Sequence, residues 1–569
     1  MADRVLPWIR VEGSSWSTAG LWALWIVFGV FLVYPLFYVA RGAFLVDGEL
    51  LFDFFALLFT NPVQREALIN SCTLGITVTI ATSIVALPLA MAMVRREFPG
   101  KGILNGLLLV PMVIPPFVGA IGMKQLFARF GSVNQALIGL GVMDRSDPMD
   151  WFGSGFWGVV LLESLHLYPI MYLNAAAALA NIDPSLEEAG RNLGSSGWTL
   201  FRRITMPLMA PGYFAGSIIV FLWAFTDLGT PLMFEYSRVI PVQIFDLVTD
   251  IHSNPMGFAL VVLVILMTVG FFVASKKLIG SGSRAMMSRG HTAGGSSTAT
   301  GAETWLIWGG AGILIGVALL PHLSVMLTSV SQRWALSVLP SEYTTSHLVQ
   351  VFEHPLTVSS IKNSFFLSSL STLADVLIGV GIAYLLTRKA FRGKNILDTL
   401  AMLPLTLPGL VLAFGYVGSF SNTALDVQVN PMPLLVIAYA IRRLPYMVRA
   451  AVAGFQQTSV ALEEASMNLG ASPLRTLRKI TLPLVMANLV AGGTLAFSFA
   501  MLEVSDSLIL ATKERFYPIT KAMYALALRI ADGPYVASAM GVIGMLILGT
   551  SLMLAGKFLG RRMGELFRV

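Results

Sequence analysis

Apolar residues in this chain fall into blocks of about 20, each long enough to cross a bilayer as a helix. The blocks lie at about 21–41, 69–94, 103–128, 156–180, 211–234 and 257–279, then at about 305–330, 363–387, 396–420, 432–453, 484–511 and 535–559. No run of short alternating segments suggests a membrane β-barrel. The pattern predicts an all-α polytopic membrane protein of about 12 transmembrane helices. The first block follows Arg4 and Arg10 but is long enough to span, so it reads as an uncleaved helix rather than a signal peptide.

The polar interruptions are not random. Leu186-Glu187-Glu188-Ala189-Gly190-Arg191-Asn192-Leu193-Gly194, leading to Ile204-Thr205-Met206-Pro207, returns as Leu462-Glu463-Glu464-Ala465-Ser466-Met467-Asn468-Leu469-Gly470, leading to Ile480-Thr481-Leu482-Pro483. The spacing between copies is constant at 276 positions (188 to 464). Arg95, Gly100, Lys101, Pro111 and Pro115 likewise return as Arg388, Gly393, Lys394, Pro404 and Pro408, at a spacing of 293 (95 to 388). The drop from 293 to 276 gives the first half about 17 extra residues, most simply in the loop around 129–155. Six helices per copy make the copies parallel repeats, related by an axis along the membrane normal. A Gly- and Ser-rich stretch at 280–303 reads as a flexible cytoplasmic linker between domains 1–279 and 304–569.

Composition agrees. Hydrophobic residues make up 56% of the 569, and charged residues 12%, about half the share of a soluble domain. The net charge of +7 is explained by location rather than by nucleic acid. Lys and Arg concentrate in alternate loops, which places both termini and both repeated segments in the cytoplasm. The single Cys72 excludes disulfides and Cys-based zinc sites.

Each repeated segment has the makings of two short helices. Asp183-Pro184 is a good helix start, with Ser459 in the matching position. The paired glutamates suit a first turn, and Gly194 and Gly470 can supply a positive-φ turn. One such segment could simply cap the bundle. Two with identical spacing point to docking on a cytoplasmic partner.

Glu-Ala-(Gly or Ser)-x3-Gly-x9-Ile-x-(Met or Leu)-Pro resembles the EAA loop of permease subunits of bacterial type I ABC importers, and it covers both halves. Gly190 and Ser466 stand where the family name has its second alanine. The fusion of two domains, Arg95 to Lys101 and Leu403 to Pro408 look most like the ferric-iron permeases. The resemblance implies a bacterial inner-membrane importer component, with loops 183–207 and 459–483 gripped by two ATP-binding-cassette subunits. Glu187, Glu188, Ala189, Gly194, Glu463, Glu464, Ala465 and Gly470 would carry that coupling. An extracytoplasmic binding protein would deliver the solute. Ferric iron is the first expectation; phosphonate, phosphosugar, polyamine and thiamine stay open, as does an ion-gradient-driven transporter of another class.

No Gly-x4-Gly-Lys-(Ser/Thr) occurs, so ATP is expected on partner subunits, with no cofactor on this chain and no enzymatic role. Any resident metal is unknown. Charges within spans need a reason. Asp227 and Glu503 share the 276 spacing, and Asp506 follows Glu503 by three. These three, with Arg442 and Arg443, are candidates for a translocation path, the arginines suiting an anion. Asp375 and the pair Glu163/His166 also lie in spans. Helix–helix hydrogen bonding is the alternative for all of them.

Overall fold

A computed structural model describes residues 15–46, 48–113, 115–251, 253–280, 297–529 and 532–559. The chain is an all-α polytopic membrane protein; three pairings of two or three residues each are the β-structure among the described residues. Eight described helices are long and apolar enough to cross a membrane, and ten if each of two bent pairs is one span. Two other helices fall on the remaining expected blocks. Met256–Gly280 is apolar over Met256–Phe271, whereas Met432–Gln457 carries Arg442, Arg443 and Arg449 within its length.

The two halves repeat element by element. Pro62–Arg95 and Pro355–Arg388 are both 34 residues, Lys101–Val113 and Lys394–Thr406 both 13, and Pro184–Asn192 and Val460–Asn468 both nine. Asn61 caps the first of these by accepting from Val63 N at 2.9 Å. The additional residues of the first half lie between Pro116–Phe127 and Phe156–Ala180, where the short helix Ser132–Gly139 has no counterpart. Lys394–Thr406 and Gly409–Ser419 meet at 103°. Pro408 causes the break, because it cannot donate to the helix and restricts the residue before it.

The first helix of each half packs on the other half. Tyr416 Oη donates to Phe31 O at 2.7 Å, and Gly415 lies against Pro35 and Val39. Conversely, Gly122 sits so close to the Pro321 carbonyl that a Cβ there would overlap it. Two tryptophans repeat the exchange: Trp308 covers Gly100 and Trp25 covers Gly393, both glycines having positive φ (79° and 91°). Trp308 Nε1 also donates to Pro99 O at 3.2 Å. Most of the linker lies outside the described residues. Its end is ordered: Ser297–Thr298 pairs in parallel with Arg96–Glu97, and a Thr300/Glu303 capping box starts Gly301–Ser329. The helix thus begins within the expected linker.

Candidate functional site

Both repeated segments fold as two short helices joined by a tight turn. Asp183 accepts from Ser185 N at 2.9 Å, and Pro184 occupies the first helical position. That bond holds the exposed Asp183 carboxyl below the usual carboxylate range. Ser459, its counterpart, makes no such cap bond. The turn is the same in both copies. Ser195 N donates to Gly190 O and Gly194 N to Arg191 O, while Ala471 N donates to Ser466 O and Gly470 N to Met467 O. This pairing satisfies carbonyls at the helix end and requires a left-handed residue. Gly194 has φ 85° and Gly470 φ 87°.

The two glutamates of each copy divide. Glu187 is buried, held by Arg95 Nη2 at 2.7 Å and by Thr205 Oγ1 at 2.8 Å. Glu463 is held by Arg388 Nε at 3.0 Å, and Arg388 also donates to the carbonyls of Phe455 and Thr458. Glu188, Ala189, Glu464 and Ala465 face outward. Each inward glutamate therefore bolts its short helix to the long helix Pro62–Arg95 or Pro355–Arg388. At the small position, Gly190 lies under Leu200 and Ile204 where a Cβ would collide. In the second copy Ser466 exchanges a hydrogen bond with Thr476, the counterpart of Leu200, at 3.0 Å. Each helix pair then runs into one π-helical turn, Phe201–Thr205 or Leu477–Thr481, a feature that often marks functional segments.

The outward face repeats as well. Leu193 is 88% exposed and Leu469 90%; Trp198 is 72% and Leu474 75%. Leu186 and Leu462 are each about half-exposed. Residue typing alone did not single out this apolar triad, although the 276 spacing of its members was available as a signal.

The second candidate lies in the membrane-spanning region. The helix Met206–Thr226 breaks at Asp227, which accepts from Thr230 N at 2.8 Å and so caps the short helix Gly229–Met233. Glu503 stands at the matching break, before Ser505–Leu510. The two breaks meet, with Gly229 against Val504. Glu163 Oε1 accepts from Thr230 Oγ1 at 2.7 Å, and His166 lies 3.2 Å from Pro111 O.

Around Glu503 the second half carries a charge network. Arg442 Nη1 is 2.7 Å from Glu503 and 3.6 Å from Asp506, and Arg443 Nη2 also pairs with Glu503. Glu503 and Asp506 are buried. Arg442 and Arg443 are thus engaged by carboxylates of their own half rather than presented to an anion. The structure brings Arg442, Arg443, Glu503 and Asp506 together, and it places Asp227 at the facing break. Among the described residues, no group of three or more His, Cys, Asp or Glu side chains is placed to hold a metal ion.

The chain matches the family described as binding-protein-dependent transport system inner membrane component twice, over residues 84–279 and 375–565. It is 26% identical over 521 residues to a putative ferric transport system permease protein of Haemophilus influenzae, covering 90% of this chain and 80% of that one. A molybdate/tungstate transport system permease protein of Pyrococcus furiosus is 33% identical over 178 residues, which cover 31% of this chain and 68% of that one. A crystal structure of a bacterial alginate ABC transporter, in complex with an alginate pentasaccharide-bound periplasmic protein, aligns with 48% of this chain and 95% of its own at 18% identity and a TM-score of 0.38.

Proposed function

The chain belongs to the family of binding-protein-dependent transport inner membrane components, with the family's domain present twice, and we propose that it is a two-in-one permease of an ATP-driven importer. Two ATPase subunits dock on residues 183–207 and 459–483, and an extracytoplasmic binding protein delivers solute on the opposite face. Neither the hydrolysis nor the phosphate chemistry belongs to this chain.

One observation carries this reading: two outward apolar triads, Leu186/Leu193/Trp198 and Leu462/Leu469/Leu474, at one spacing and bolted to the long helices by buried ion pairs. Exposed leucine and tryptophan on polar loops mark a surface that is covered in the working assembly. The Arg95–Glu187 and Arg388–Glu463 pairs would carry a displacement of the docked subunit into Pro62–Arg95 and Pro355–Arg388. Ferric iron is the solute this reading favours, because the ferric permease of Haemophilus influenzae is similar along nearly the whole chain. The oxyanion alternative is supported by a shorter stretch, and the arginines that would serve it are already paired.

The test is reconstitution with the ATPase and the binding protein. Iron-loaded binding protein should stimulate ATP hydrolysis, and Leu193→Asp with Leu469→Asp should abolish both the stimulation and co-purification of the ATPase. Retained co-purification in the double variant would overturn the docking assignment. Stimulation by oxyanion-loaded but not iron-loaded binding protein would overturn the solute alone.

A further inference from the structure

Among the described residues, the ion pairs and hydrogen bonds given above leave one membrane carboxylate with neither. Asp375, on Pro355–Arg388, is 1% exposed, and neither of its oxygens has a hydrogen-bond partner. An orphaned carboxylate in a dry interior is costly in its charged form. Arg443 is the cation whose field reaches it; Nη2 of Arg443 is committed to Glu503 and the Phe499 carbonyl, and its buried Nε makes no hydrogen bond to Asp375. Of the other cations on this helix and its neighbours, Lys362, Lys394 and Arg515 are exposed, and three more are engaged elsewhere. Arg388 holds Glu463, Arg449 pairs with Asp398 at 3.3 Å, and Lys521 donates to Leu508 O at 2.8 Å. Asp375, Arg443, Glu503, Arg442 and Asp506 form an alternating series with three acids and two bases. One positive charge is missing.

The surroundings show where it would come from. Ser368 Oγ and Thr372 Oγ1 are buried and without partners, and they precede Asp375 at successive turns of one helical face. Ser364, one turn earlier, accepts from Ile519 N at 2.8 Å. This hydroxyl file runs from Asp375 toward the helix end remote from the paired loops. The first half has no such file. At the matching positions Gly75 replaces Ser368, Thr79 donates to Gly75 O at 2.7 Å, and Thr82, in place of Asp375, donates to Thr79 O at 2.9 Å. Every hydroxyl there is satisfied and no acid is present.

We propose that Asp375 is a proton-binding site of the second half, supplied along Ser368 and Thr372 from the face opposite the paired loops. A hydronium ion gives its proton to an Asp375 carboxylate oxygen and leaves as water, and the five-membered series becomes electroneutral. Both Asp506 oxygens also lack a hydrogen-bond partner, but Arg442 lies 3.6 Å from Asp506 and Asp375 has no ion pair, so the proton goes to Asp375. Because the series includes Glu503 at the helix break, loading of this site sets how firmly the break is held. The first half has Thr82 at this position, and its own buried acid, Glu163, is hydrogen-bonded to Thr230, so the pseudo-symmetric halves respond unequally to pH. The inference does not depend on which solute is carried.

The experiment uses the full chain in membranes, labelled with dicyclohexylcarbodiimide, which attacks protonated carboxyls in apolar surroundings, and thermal midpoints in detergent. Labelling should map to Asp375, fall about tenfold per pH unit above its midpoint, disappear in Asp375→Asn and slow in Ser368→Ala/Thr372→Val. Asp375→Asn, which imitates the protonated acid, should melt with the wild type at low pH and lose part of the wild-type pH dependence. A variant melting far below wild type at every pH would make Asp375 an ionised partner of Arg443 and overturn the proposal. Unchanged pH dependence would also overturn it. Protection of Asp375 by sodium or potassium at fixed pH would replace the proton by an alkali cation.

Discussion

Thr205 and Thr481 occupy matched positions, yet they meet different partners. Thr205 donates to buried Glu187, whereas Thr481 Oγ1 is buried without a partner. A hydrogen bond to a charged group contributes about 1.5–3 kcal/mol, and an orphaned hydroxyl contributes nothing favourable. Thr205→Val should therefore speed amide exchange across residues 184–205, while Thr481→Val leaves 460–481 unchanged or slower. Equal effects in the two copies would contradict the asymmetry. At this scale the sequence was only half legible. It marked Glu187 and Glu188 as a pair without separating their roles. The separating signal is the joint recurrence of Arg95/Glu187 and Arg388/Glu463, because two residues repeated on different elements at different spacings are candidates for contact. Hydrogen-bond partners such as Thr205 depend on rotamer and packing, which no spacing encodes.

At the scale of elements, the bend at Pro408 and the break at Glu503 are one construction. Gly409 begins the helix after Pro408, and a Cβ on it would overlap the Arg442 guanidinium. The clash is with the end of a long side chain, so a Cβ here is accommodated only by moving Arg442. Gly409→Ala should displace Arg442 from Glu503 and Asp506; breaking a buried pair costs about 3–5 kcal/mol. A clear fall in thermal midpoint is the expected result. Gly381→Ala is the control: it too lies in a membrane-spanning helix, but its Cβ meets nothing within 4 Å. If both variants melt together, the Gly409–Arg442 packing has no structural weight. The element order itself was readable, because blocks of about 20 apolar residues and paired prolines are properties of composition. The short helices Gly229–Met233 and Ser505–Leu510 were hidden within blocks expected at 211–234 and 484–511. Asp227 and Glu503 mark those breaks; Asp227 caps the short helix after it, whereas Glu503 holds Arg442 and Arg443.

For the molecule as a whole, the exchange of first helices decides how the halves hold together. Ser15–Phe28 and Tyr34–Phe44 belong by sequence to the first half, but the latter packs on Gly409–Ser419, with Tyr34 Oη reaching Ser419 O and Tyr38 lying against Gly418. Gly301–Ser329 answers by packing Pro321 and Val325 on Gly122. Hydropathy could not reveal this, since a spanning helix has the same pattern whichever half it faces. Lipid offers little hydrophobic drive between helices, so association rests on close approach of small residues and on hydrogen bonds. Glycines 122 and 415 and the Tyr416–Phe31 bond supply both. The peptide link at 281–296 is then not what joins the halves. Chains 1–288 and 289–569, produced together, should co-purify and bind the ATPase as the intact protein does. Gly122→Leu together with Gly415→Leu should separate the fragments while leaving the uncut chain assembled, because covalent connection raises the effective concentration of one half for the other to the millimolar range. Failure of the wild-type fragments to co-purify would mean that the exchanged helices need the covalent link to find their places.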